Sequence, residues 1–150
     1  MAGTFTSLHY HLVFSTKDRF PFIHADLQER LYEYLGGIIR SEKGVLLEAG
    51  GMPDHIHLLV RLPPLPAISD WMRIIKSKSS GWVHDNFLEK SKFGWQEGYG
   101  AFTVSRSDLD RVADYIRNQA EHHRSRTFKE EFLRFLEAHE IEYDERFIWK

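Results

Sequence analysis

The chain has 150 residues, 42% apolar and 14% aromatic, enough to bury a core, and its 28% of charged residues suits a water-soluble globular protein. It has no cysteine, which excludes disulfides and thiolate metal ligands, and its formal net charge of −2 argues against a protein held on nucleic acid by bulk positive charge. No apolar run is long enough to span a bilayer and no basic-then-apolar leader is present, so a single cytoplasmic domain over residues 1–150, without a membrane partner, is expected.

The first strand is "SLHYHLVFSTK", in which Tyr10, Leu12 and Phe14 alternate with His9, His11 and Val13. After a loop, "DRFPFI", apolar residues recur at helical spacing from Ala25 to Ser41. "KGVLLEAGG" reads as a short strand opened by Gly44 and closed by Gly50 and Gly51. "DHIHLLVRL" is a third strand, stopped by "PPLP". A second helix starts near Ala67 and carries Ile68, Met72, Ile75 and Trp82.

"WQEGYGAFTVS" is a glycine-interrupted strand, and Ser107 is placed to cap one continuous helix, "DLDRVADYIRNQAEHH". A last helix runs from Phe128 to Ala138. Strand–helix–strand–strand–helix–strand is the ferredoxin-like, RRM-like order of an α+β fold, in which the first and third strands are central neighbours. Charge is unevenly spread. Arg73, Lys76 and Lys78 cluster on the second helix, Arg111, Arg117, Arg124 and Arg126 punctuate the late helical region, and acids gather in the tail.

Strand side chains at i and i+2 share a face, so His55 and His57 present two imidazoles side by side while Ile56, Leu58 and Val60 face the other way. His9 and His11 have the same spacing, so spacing alone does not choose between the pairs. A metal site needs at least a third ligand. On the late helix, Leu109, Val112, Ala113, Ile116 and Ala120 form the apolar stripe. Tyr115, Gln119 and His122 lie on a second stripe roughly 100° around. Periodicity is equally consistent with a rim aromatic beside a solvated amide and with a nucleophile beside a metal ligand.

"HLVFSTKDR", "GGMPDHIHLLV", "GWQEGYGAFTVS" and "VADYIRNQAEHH" together resemble, in order and spacing, the single-tyrosine HUH transposases of single-strand insertion sequences and the related REP-associated tyrosine transposases. The resemblance implies a ferredoxin-like antiparallel sheet with helices on one face and the tyrosine helix over the histidine face. It implies Tyr115 as nucleophile and His55, His57 and Gln119 as ligands of Mg²⁺ or Mn²⁺. The activity it implies is cleavage and rejoining of single-stranded DNA with hairpin ends, through a covalent 5′-phosphotyrosine, by a homodimer. Arg73 and Lys76 are then candidates for DNA contact, and Asp54 and His122 for support of the ligands. Two alternatives stand beside this reading: a nucleic-acid-binding module without catalysis, and a domesticated HUH nuclease acting on palindromic repeats.

Overall fold

The computed structural model describes residues 3–150. Four strands, β1 (His9–Ser15), β2 (Val45–Met52), β3 (His55–Arg61) and β4 (Gly100–Thr103), form one antiparallel sheet in the order β2-β3-β1-β4. The helices α1 (Ala25–Ser41) and α2 (Ile68–Asn86) connect them in the ferredoxin-like manner, and α3 (Leu109–Arg117), α4 (Gln119–His122) and α5 (Phe128–Ala138) follow. Among the described residues no helix is long and apolar enough to cross a membrane.

Strand alternation divides the sheet into two faces. Leu12, Phe14, Ile56, Leu58 and Val60 face α1 and α2, meeting Leu27, Leu31, Leu35, Trp71, Met72 and Ile75 in the main core. Each of these side chains, fully buried, contributes on the order of 1.5–3 kcal/mol. The opposite face carries His11, Val13, His55, His57 and Phe102. It is closed by α3 and by an apolar stripe of α5, where Phe128, Phe132 and Leu136 pack on Val13 and Phe102. Burial on both faces explains why β3 is buried from His55 to Val60.

Three sequence expectations are corrected here. Gly50 and Gly51 lie inside β2, which runs on to Met52; they pair with His57 and Ile56. A Cβ on Gly50 would sit 2.1 Å from the Ile116 carbonyl oxygen, so this glycine admits the backbone of α3 onto the sheet beside His57. Second, the late helix is broken. Asn118 (φ −101°, ψ 32°) leaves helical geometry and its side chain donates to the Asp114 carbonyl at 2.8 Å, ending α3 locally. Third, Ser107 sits within a 3-10 turn at Arg106–Asp108, so Asp108 occupies the N-cap position of α3. The break turns Gln119 inward and leaves Ala120, expected on the apolar stripe, exposed.

Candidate metal and nucleophile site

β1 and β3 pair so that Val13 lies opposite His57 and Ser15 opposite His55, which puts His11 diagonally next to His57. His55 and His57 are fully buried. The His57 Nδ1 lies 2.8 Å from His11 Nε2, and the His55 Nδ1 lies 2.8 Å from Asp54 Oδ1. Each ring therefore has one nitrogen held from behind and its Nε2 aimed at the space below α3–α5. A bond at one nitrogen fixes the orientation and tautomer of the other, the usual arrangement for a metal-binding imidazole.

Gln119 and Glu131 reach those two Nε2 atoms, and His123 and Tyr115 bond to that pair in turn. Gln119 Oε1 is 3.2 Å from His55 Nε2 and 3.1 Å from His123 Nε2. Glu131 Oε1 is 3.0 Å from His57 Nε2, 3.2 Å from His123 Nε2 and 3.5 Å from His55 Nε2. Tyr115 donates its hydroxyl to the other oxygen, Glu131 Oε2. Donor atoms bound to one ion at about 2.0–2.2 Å sit about 3.0–3.5 Å from each other. The observed separations have that spacing, and the donor atoms of His55, His57 and Glu131 all lie within 4.8 Å of one another. Imidazole nitrogen with amide and carboxylate oxygen is a mixed donor set that divalent ions accept, the imidazoles suiting transition ions and the oxygens Mg²⁺ or Mn²⁺.

The electrostatics match a site built around charge. Glu131 is 1% exposed, and an unpaired carboxylate there would cost several kcal/mol. Burial works against its ionisation, yet hydrogen bonds from His123, His55 and His57 hold it well below the usual carboxylate range. Burial likewise opposes a charged His55, but Asp54 and Glu131 outweigh it and push the ring up to about 9. His57, at the centre, is held below its ordinary value by desolvation. Burial and the neighbouring Glu131 raise the Tyr115 phenol above its ordinary value, so the phenol rests neutral.

Of the residues singled out in the sequence, Asp54, His55, His57, Tyr115 and Gln119 meet in this one cluster. His122 does not bond the donor atoms; its ring stacks on Tyr115, with centroids 4.4 Å apart, and His123 takes the place at the cluster. His9 stands apart, its Nδ1 without a partner among the described residues. Arg73 and Lys76 lie on α2, across the sheet from the histidines. Arg73 is exposed and pairs with Asp70 at 3.3 Å, while the Lys76 ammonium donates to the carbonyls of Gln96, Glu97 and Gly98 at 2.9, 3.1 and 2.6 Å.

Sequence reasoning missed Glu131; it left the choice between His122 and His123 open and named His11 only as part of a rival histidine pair. Glu131 had left a signal: with Phe128, Phe132 and Phe135 it falls at i, i+3, i+4 and i+7, a carboxylate on the inward stripe of its helix.

Residues 4–119 match the family model "Transposase IS200 like". The chain belongs to the IS200-like transposases. The transposase for insertion sequence element IS200 of Salmonella typhimurium is 29% identical over 126 residues, covering 81% of this chain and 82% of that one. The ISDra2 transposase TnpA of Deinococcus radiodurans is 27% identical over 122 residues, covering 78% and 87%. A crystal structure of a candidate transposase from the same species superposes with a TM-score of 0.67 at 27% identity, over 79% of this chain and 95% of that one. A REP-associated tyrosine transposase, solved bound to a REP hairpin, shares the fold with a TM-score of 0.54 at 17% identity, over 77% and 70%. In this transposase, His123, Phe128 and Glu131 all lie beyond the matched segment, so part of the cluster comes from outside the family's shared region.

Proposed function

We propose that this transposase is a metal-dependent enzyme that cuts and rejoins single-stranded DNA through Tyr115, at element ends that form hairpins. One observation carries the reading: within one chain, the Tyr115 hydroxyl, the Nε2 atoms of His55 and His57 and the Gln119 amide oxygen surround a single volume. In the reaction, the Tyr115 oxygen bonds to the scissile phosphorus and the 3′ oxygen departs, leaving a 5′-phosphotyrosine and a free 3′-hydroxyl. The phenolic proton passes to Glu131 Oε2, to which the hydroxyl already donates. A 3′-hydroxyl can later reverse the step, so the bond energy is conserved in the protein–DNA linkage.

His55, His57 and Gln119 would hold Mg²⁺ or Mn²⁺, with Glu131 adjoining. When bound, the ion supplies positive charge for the phosphate oxygens. His11 and Asp54 hold the two imidazoles in register, and Phe128 stacks on the His55 ring with centroids 4.4 Å apart. Because the phenol lies at its own chain's histidines, cleavage within one subunit is the arrangement this geometry supports; the expected homodimer follows from the resemblance. The greater similarity to transposases of insertion sequences than to the REP-associated enzyme favours a mobile element over a domesticated nuclease.

Incubation with hairpin-ended single-stranded DNA and Mn²⁺ should give a covalent adduct on a denaturing gel. Tyr115→Phe should abolish it, and an undiminished adduct with that variant would overturn the assignment.

A further inference from the structure

The β2–β3 turn and the connection from α4 to α5 face each other across an open groove of about 610 Å³. Asp54, His123 and Phe128 line it, and each touches the histidine cluster from outside: Asp54 at the His55 Nδ1, Phe128 on the His55 ring, His123 at Gln119 and Glu131. The groove thus shares a wall with the site, made of Asp54, His123 and Phe128. Three arginines also line it, Arg19, Arg124 and Arg126.

The acids in the wall are already engaged. Asp54 faces His55, and Glu130 is tied into a capping box with Thr127. Arg19 donates to the Trp149 carbonyl at 3.2 Å. Arg124 meets Glu121 at 3.5 Å, an exposed pair of the kind worth ~0–1 kcal/mol. Arg126 differs from both. It is half-buried and makes no ion pair or hydrogen bond among the described residues. It also lies near enough to Tyr115 that its charge eases ionisation of the phenol, against burial and Glu131. A guanidinium fork partly withdrawn from water, close enough to Glu130 to stabilise its charge but bonded to no carboxylate, is suited to a phosphate, which it binds through two parallel hydrogen bonds.

We propose that this groove is the track along which a single DNA strand reaches Tyr115, with Arg126 gripping a backbone phosphate beside the reacting one. The inference rests on the transposase reading and adds the path of the substrate. Its volume, about 610 Å³, is on the scale of a small-molecule cleft, roughly 300–1,000 Å³, and so of a short run of single strand.

The test is fluorescence anisotropy with a dye-labelled oligo(dT) probe, in chelator so that no cleavage occurs. Arg126→Ala should weaken binding about 5-fold or more and reduce the slope of log affinity against log salt by about 0.7, the value for one lost single-strand phosphate contact. Arg126→Lys, which keeps the charge and not the fork, should recover part of the affinity. Arg146→Ala, in the tail, should match the wild type. Unchanged affinity and slope in Arg126→Ala, or a wild type that does not bind the probe, would overturn the groove. Adduct formation by the wild type is scored separately. An Arg126-dependent affinity without an adduct would refute the enzyme and leave the groove standing, and an adduct with Arg126-independent binding would do the reverse.

Discussion

The Tyr115 hydroxyl and the Glu131 carboxylate are hydrogen-bonded, and the other oxygen of that carboxylate lies 3.0 Å from His57 Nε2. One side chain therefore ties the nucleophile to the histidine pair. Replacing it by the neutral amide should weaken both links. Glu131→Gln is expected to lower Mn²⁺ affinity by about 10–100-fold, the scale set by losing a supporting partner at a metal site. Calorimetric titration measures this directly. An unchanged Kd would remove Glu131 from the metal's surroundings.

Placement of Tyr115 depends on how closely α3 approaches β2. Gly50→Ala puts a methyl group 2.1 Å from the Ile116 carbonyl, where only backbone movement can relieve it. Overpacking of this kind costs about 1–3 kcal/mol, and the shift falls on the residue next to Tyr115. Gly81→Ala on α2 meets nothing within 4 Å and should stabilise the helix by ~0.5–1 kcal/mol. Urea unfolding and the adduct assay separate the two. Gly50→Ala should lose both stability and adduct, while Gly81→Ala keeps the adduct.

Much of this geometry could be read from spacing alone, and its failures have local causes. Alternation placed His55 and His57 on one face and Ile56, Leu58 and Val60 on the other, because strand periodicity is rigid. The start and end of α1, Ala25 and Ser41, came directly from its apolar repeat. The break at Asn118 did not, since a helical pattern continues in sequence through a residue whose side chain caps the turn behind it. That break is what exchanged His122 for His123 at the cluster. Spacing does not separate the His9–His11 pair from His55 and His57, and the resemblance favours the latter, which leaves His11 without a role. Only the register of β1 against β3, a long-range property, makes it the neighbour of His57. Glu131 approaches from a helix 74 residues beyond His57, a distance that no local pattern spans.

His11 is expected to act through His57. It is 4% exposed, and its removal strands the His57 Nδ1 in a buried site with no water to replace it. His11→Ala should therefore reduce Mn²⁺ affinity by about 10-fold or more, while His9→Ala, whose ring makes no bond to the cluster, should leave it unchanged. Equal effects of the two substitutions would mean that the first strand contributes packing alone.

Stability in chelator should depend on pH in a direction set by His55. Its folded value, about 9, lies above the ordinary 6.5, so the folded protein holds that proton more tightly than the unfolded chain. This contribution, on the order of a few kcal/mol, is complete below about 6.5 and is lost as pH rises through about 9. Glu131, depressed instead, contributes above the ordinary carboxylate range and is lost in acid. The urea midpoint should accordingly peak between the two and fall toward pH 9. Mn²⁺ should reverse the alkaline fall, because it competes with a proton for His55 Nε2. A midpoint flat from pH 6.5 to 9 would contradict the pairing of His55 with Asp54 and Glu131.

Lys76 separates a structural role from a DNA-binding one. Desolvation lowers its pKa to about 8, and its hydrogens are shared among three carbonyls of residues 96–98, which lead into β4. A charged hydrogen-bond donor contributes about 1.5–3 kcal/mol where its acceptors would otherwise lose their partner. Lys76→Met should therefore destabilise the fold by about that amount and leave the salt dependence of oligo(dT) binding as it was, since the ammonium faces its own chain. A binding slope lowered by about 0.7, with stability unaltered, would instead make Lys76 a phosphate contact and place DNA on the α2 side of the sheet as well.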